Sequence, residues 1–289
     1  MKTGLGIALI AGCILMILPE ADATDPVALV TDLKGNATIT ESGKNSRLSV
    51  LTYLTPGTEI MLEAGGRMVI TFFSHPNEYT FAGPATVSIG QDSAQALKGQ
   101  APEPRRLADD KALAARKFAP LQRERTAMAS FEMRGSARPQ MRLLGPVNTE
   151  ILSDAPEFSW TTLPGIGRYH WLLSESGGRT VAETNVEGGS FQLPKESPLR
   201  YGTNYSWKVD CKLPSGKNAW ASGDFTLVDA ARAQQINALR PAPDASFSDR
   251  LLFAVLLESE GLGFDAQAEW RILARERPDD PALRRWAEP

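Results

Sequence analysis

The sequence predicts a mainly β protein, two β modules in series with a small α-helical end. Three observations predict it. From Val27 to Ile89, and again from Gly145 to Val228, short β-prone runs alternate with Gly, Pro and Asn turns. In the second of these regions bulky rings recur two residues apart, as one face of a strand requires. From Asp229 onward the apolar residues fall at helical spacing instead.

The first element is a leader. Lys2, the apolar run Leu5 to Leu18 and then Ala21-Asp22-Ala23 follow the order of a secretory signal over 1–23, with cleavage expected before Thr24. Ile10-Ala11-Gly12-Cys13 would instead suit a lipoprotein acylated on Cys13. The apolar Ile14-Leu15-Met16-Ile17-Leu18 that follows, where a lipoprotein has a polar tether, speaks for plain secretion. No later apolar run is long enough to span a bilayer.

The first β module is expected over 24–97. Its strand candidates are Val27–Val30, Ala37–Thr40, Leu48–Val50, Glu59–Leu62, Met68–Phe73, Tyr79–Phe81 and Thr86–Ile89. Lys34-Gly35-Asn36, Pro56-Gly57, Gly65-Gly66, His75-Pro76-Asn77 and Gly83-Pro84 supply the turns, and even spacing of this kind predicts an antiparallel sandwich or barrel.

Residues 98–142 change character, with eleven Lys and Arg against five Asp and Glu. They read as a basic linker, with a short helix predicted over Leu107 to Lys117 and prolines interrupting anything longer. The second β module, 143–228, has runs at Phe158–Trp160, Tyr169–Leu173, Thr180–Ala182, Ser190–Leu193, Tyr205–Cys211 and Asp224–Leu227. Short strands at this density predict an immunoglobulin-like sandwich.

The end, 229–289, predicts helices over Asp229 to Arg240, from Ser246 to a stop at Gly261, and over Asp265 to Arg277, then a last turn carrying Leu283 and Trp286.

Parity places the large side chains. Phe158 and Trp160 share a strand face, as do Tyr169 and Trp171, and a sandwich core about 10 Å thick needs such rings inside, which turns His170 outward between the last two. Tyr205, Trp207, Val209 and Cys211 share another, opposite Ser206, Lys208, Asp210 and Lys212, so the polar set faces water and Cys211 reads as a buried, inert thiol. Cys211 is also the one cysteine beyond the leader, which leaves no partner for an intrachain disulfide.

Three resemblances follow from these residues. Leu33-Lys34-Gly35-Asn36-Ala37-Thr38-Ile39, Leu54-Thr55-Pro56-Gly57-Thr58-Glu59-Ile60 and Gly66-Arg67-Met68-Val69-Ile70-Thr71-Phe72 resemble the periplasmic domain of FecR-type regulators, with Ser74-His75-Pro76-Asn77-Glu78 in place of the usual Asp-Gly-Ser hairpin. Pro156-Glu157-Phe158-Ser159-Trp160, Tyr169-His170-Trp171 and Leu199-Arg200-Tyr201-Gly202-Thr203-Asn204-Tyr205-Ser206-Trp207-Lys208-Val209 are similar to a fibronectin type III-like sandwich, with Tyr205 as its tyrosine corner. Leu256-Leu257-Glu258-Ser259-Glu260-Gly261-Leu262, Ala266-Gln267-Ala268-Glu269-Trp270 and Pro278-Asp279-Asp280-Pro281 look like one tetratricopeptide-type hairpin, too short to stand alone and so expected to pack on the sandwich or a partner. The FecR resemblance implies a bacterial envelope protein, periplasmic or secreted. The cytoplasmic segment and membrane span of the sigma-controlling members have no counterpart here, so the anti-sigma role is not implied.

Motifs for chemistry are sparse. The formal net charge of −3 exerts no general pull toward nucleic acid or anionic lipid, and no nucleic-acid partner is expected. Two histidines and one cysteine beyond the leader form no metal-ligand spacing, and nucleophile-elbow and phosphate-loop patterns are absent. Asp109-Asp110 and Asp279-Asp280 read as helix starts or turns. No catalytic, metal-binding or cofactor-binding residues are assigned.

The candidate contact residues are Trp220, which has no aromatic partner two residues away, and His75 and Asn77 in the first module's turn. The expectation is a non-enzymatic scaffold or sensor subunit with an envelope or inner-membrane protein partner. Its alternative is a peptidoglycan- or glycan-binding module.

Overall fold

The computed structural model describes residues 25–41, 43–107, 114–118 and 141–288. The expected leader with Cys13, and the pair Asp109-Asp110, lie outside them.

The N-terminal module opens with β1 (Ala28–Lys34), β2 (Ala37–Glu41), β3 (Lys44–Arg47), β4 (Tyr53–Leu54) and β5 (Glu59–Leu62). It continues with β6 (Arg67–Phe72), β7 (Asn77–Ala82), β8 (Ala85–Ile89), β9 (Ala94–Lys98) and β10 (Glu103–Arg106). These form two antiparallel five-stranded sheets, β10-β7-β6-β1-β4 and β3-β2-β5-β8-β9. Val30, Ile70, Phe72 and Phe81 from one sheet meet Ile39, Ile60, Leu62 and Val87 from the other in a common core. At the β7–β8 turn a Cβ on Gly83 would stand 1.9 Å from the Glu63 carbonyl oxygen, so only glycine fits.

Beyond the strands β4 and β9, which are absent from the sequence reading, that reading differs here in two further ways. Leu48–Val50 is not a strand. Leu48, Val50 and Leu51 are buried in a loop, and the neighbouring strand is the fully exposed β3, which pairs with β2 through its backbone. The expected linker 98–142 is also partly built into the fold. Glu103–Arg106 pairs with β7 as an edge strand. Polar edge strands carry no apolar alternation, which is why β3 and β10 give no signal in the sequence. Residues 114–118 are helical and bury Ala114, Ala115 and Phe118.

The second module contains β11 (Leu143–Gly145), β12 (Thr149–Ile151), β13 (Glu157–Trp160) and β14 (Arg168–Glu175). It ends with β15 (Thr180–Glu187), β16 (Ser190–Gln192), β17 (Asn204–Lys212) and β18 (Asn218–Leu227). A three-stranded sheet, β11-β13-β16, faces a five-stranded one, β12-β18-β17-β14-β15, in which β12 pairs parallel to β18.

Between the two sheets lie the rings. Phe158 packs 4.8 Å from Trp171, 5.1 Å from Trp207 and 5.7 Å from Phe225, all buried. The Tyr205 hydroxyl accepts the Arg200 N–H at 2.8 Å, the upstream backbone bond of a tyrosine corner. The Tyr169 hydroxyl accepts Leu163 N–H at 2.6 Å, and the Trp207 indole donates to the Pro146 carbonyl at 2.7 Å, so these polar tips are satisfied inside.

Four helices follow: α1 (Ala230–Ala238), α2 (Phe247–Ser259), α3 (Gly263–Glu276) and α4 (Pro281–Ala287). Asp229, Ser246 and Asp280 cap α1, α2 and α4 by accepting backbone N–H groups, and Gly261 follows α2 at φ 78°. Among the described residues no helix is long and apolar enough to cross a membrane.

The helices form a third core that reaches into both modules. It takes Leu29, Val50 and Leu51 from the first and Leu152 and Val228 from the second. Phe118 completes it, its ring 4.7 Å from Trp286 and 6.0 Å from Trp270.

Polar contacts fix each seam. In β1 the register shifts between Val30 and Asp32, so Asp32 faces Val69 and shares its side of the sheet with Leu29, toward the helices. There it takes Arg67 at 2.8 Å and Arg277 at 3.4 Å. The Ser248 hydroxyl of α2 lies 2.9 Å from Glu78 Oε2, to which it donates, and 2.9 Å from Thr31 Oγ1. Arg105 of β10 spans Glu78 and Asp249 at 2.6 and 3.0 Å. On the other side Leu152 N–H donates to Asp265 of α3 at 2.9 Å, and Arg232 pairs with Glu150 at 2.6 Å. The Phe264 ring lies where a Cβ on Gly145 would come within 2.8 Å.

Two outcomes test this construction. Phe118→Ala should cost about 3–5 kcal/mol, read by urea denaturation, because it empties the centre of the helical core; an unchanged midpoint would mean that 114–118 is not part of it. Burial pushes the Asp265 carboxyl up to about 6, against the smaller pull of the Leu152 N–H. The folded chain therefore holds a proton that the unfolded chain releases near pH 3.8, and this contribution to stability is full below that pH and lost as pH rises through about 6. The loss is on the order of 2–3 kcal/mol. Asp265→Asn, whose amide oxygen still accepts from Leu152, should flatten that part of the stability–pH curve.

Candidate functional site

The alternation that buries the rings of the second module turns a different set outward. On β14 Tyr169, Trp171 and Leu173 go in while Arg168, His170 and Leu172 go out; on β17 Trp207, Val209 and Cys211 go in while Lys208 and Asp210 go out. Cross-strand register then aligns the outward residues. Trp220 on β18 stands opposite Asp210 on β17, and Asp210 opposite His170 on β14. Trp220 is 62% exposed, whereas the other five tryptophans of the chain are buried.

Beside Trp220 is a fixed charge cluster. His170 Nδ1 lies 3.2 Å from Asp210 Oδ1, and its Nε2 lies 2.8 Å from Glu183 Oε1 on β15. Lys208 Nζ stands 3.1 Å from the same Asp210 oxygen. The hydrogen bond to Glu183, then that to Asp210, raises the His170 pKa above its ordinary value. Partial burial pushes the Asp210 carboxyl up, but the bonds from His170 and Lys208 outweigh it and hold the group below the usual range.

With a carboxylate at each nitrogen, the imidazole is suited to holding charge in place, and neither nitrogen is left as a free base. Cys211 points to the opposite, buried face, where burial first and the Asp210 charge second push its thiol up. The arrangement can present an aromatic surface and a rigid pattern of charge. Among the described residues no group of three His, Cys, Asp or Glu side chains is placed to hold a metal ion.

The sequence candidates separate. Trp220 lies on this face. His75 and Asn77 lie in the other module: His75 Nε2 meets the Asp92 carbonyl at 2.5 Å, and its ring stacks 5.4 Å from Phe72. Asn77 begins β7 opposite Arg106, its N–H donating to the His75 carbonyl at 2.8 Å. Both serve the hairpin. Glu183 and the convergence on His170 are not seen in the sequence. Parity places Lys208, Asp210 and His170 outward, but only the pairing of β14 with β15 and β17 brings them together.

No family model and no curated protein matches the chain. Among solved structures it is similar to the fn3 domain of human collagen alpha-1(XX) chain, at 21% identity and a TM-score of 0.25, over 39% of this chain and 92% of that one. It is also similar to apo β-glucuronidase 3 of Bacteroides uniformis, at 12% identity and a TM-score of 0.24, over 69% of this chain and 35% of that one. At these scores neither likeness speaks to what the chain binds or does.

The His170 cluster can be read directly. An NMR titration should place its pKa above 6.5, and Glu183→Gln or Asp210→Asn should bring it down toward that value. The same pKa in all three proteins would dissolve the cluster as a coupled unit.

Proposed function

We propose that this chain is a non-enzymatic binding protein of the bacterial envelope, a scaffold or sensor subunit that holds a protein partner on the outer face of its sandwich. The exposure of Trp220 carries the reading. A protein that buries five of its six tryptophans leaves the sixth in water at a cost in apolar burial, and tryptophan is enriched among the residues that carry the energy of protein contacts. The Asp210–His170–Glu183 cluster and Lys208 beside it would supply orientation and partner choice. The envelope location rests on the leader and on the glycine-turned strands that resemble FecR-type periplasmic domains.

A second reading has its own observation. Asn218 and Ser222 flank Trp220 on the same side of β18 and carry neutral hydrogen-bonding groups. An aromatic plane ringed by such groups also suits the face of a sugar, so peptidoglycan or another glycan is the alternative ligand.

Trp220→Ala decides between them. Its unfolding midpoint should match wild type to within about 0.5 kcal/mol, because the ring packs in no core. Affinity for the partner captured from envelope extract should fall by about 30-fold or more, the equivalent of a 2 kcal/mol contact. Retention on peptidoglycan that depends on Trp220 would favour the glycan reading. Capture of a partner with equal affinity by both proteins would place the contact elsewhere.

A further inference from the structure

We propose that the cleft between the N-terminal module and the α3–α4 turn binds a small polyanion, a molecule carrying two or more carboxylate or phosphate groups. The cleft encloses about 640 Å³, within the range of small-molecule sites. One wall is the β1–β2 turn with Lys34, and Arg47 at the end of β3; the other is the turn 278–281 with Arg284 of α4.

Most of the acidic groups lining it are already committed. Glu276 is gripped through both oxygens by Arg250. Asp280 accepts from Val50 N–H at 3.2 Å, Ala282 N–H at 2.9 Å and Leu283 N–H at 3.3 Å. Arg277 is committed too, to Asp32 and to the face of the Phe247 ring 4.4 Å away.

What remains is cationic. Among the described residues, Lys34, Arg47 and Arg284 stand against one uncommitted carboxylate, that of Asp279. Lys34 lies near enough to Glu276 to lower its pKa. Arg47 and Arg284 are exposed and make no ion pair or side-chain hydrogen bond among the described residues. They come from different structural units and face one space. Among the described residues nothing engages either guanidinium, and each offers a planar fork of donors matched to carboxylate or phosphate oxygens. Cations on both walls select a ligand with more than one anionic group. This site is separate from the Trp220 face and does not depend on it.

The test is calorimetric titration of the full chain with inorganic pyrophosphate and with citrate, at constant ionic strength. Wild type should bind at least one probe saturably at one site, and Arg47→Gln and Arg284→Gln should each weaken that binding by about tenfold or more. Trp220→Ala should leave it unchanged. Binding of pyrophosphate alone would identify phosphate as the recognised group, and binding of citrate alone would identify carboxylate; either supports the site. No saturable binding of either probe, or binding that survives both arginine substitutions, overturns it. Unchanged unfolding midpoints in the arginine variants confirm that the fold is intact in the comparison.

Discussion

Helix α2 presents seven consecutive buried residues, Leu251 to Leu257, and a helix that is apolar on every side is stable only where every side is covered. Neither β module could supply that cover by itself. The sheet containing β1 packs against one side of α2, α3 lies along another, and the shared core extends to the Phe118–Trp270–Trp286 stack. Burying each large side chain contributes about 1.5–3 kcal/mol, so the need to cover α2 is strong enough to organise its surroundings. The helical end is therefore the joint of the molecule.

Apolar packing has little directional preference, and the seams gain theirs from buried polar groups. Asp32, Glu78 and Ser248 are nearly or wholly out of water, and each meets a partner from another element. Such groups add little net stability. Breaking one pair leaves a buried charge or donor alone, which penalises any other docking of the helices. The bulge in β1 matters for this reason, since with the same residues paired regularly Asp32 would share the face of Val30 and its carboxylate would turn away from Arg277.

The two surfaces with chemistry to offer sit where this joint leaves the chain uncovered. The outer face of the sandwich shows Trp220 beside fixed charges, and the cleft at the first seam shows guanidinium groups left unpaired among the described residues. Because the helical core holds both modules, a ligand in the cleft touches the N-terminal module and the helices together, while the sandwich face stays open to a partner.

The sequence by itself determined what each strand hides. Parity put Phe158, Trp160, Tyr169, Trp171 and Cys211 inside and Lys208, Asp210 and His170 outside, and the start of α2 was legible at Ser246, because alternation and caps are local. Tertiary structure alone decided the rest. Whether Phe118 of a basic stretch belongs to a core, whether Glu183 reaches His170, and which arginines share a cleft depend on pairings between residues far apart in the chain. No local pattern encodes such pairings, since they are set by which apolar faces find cover together.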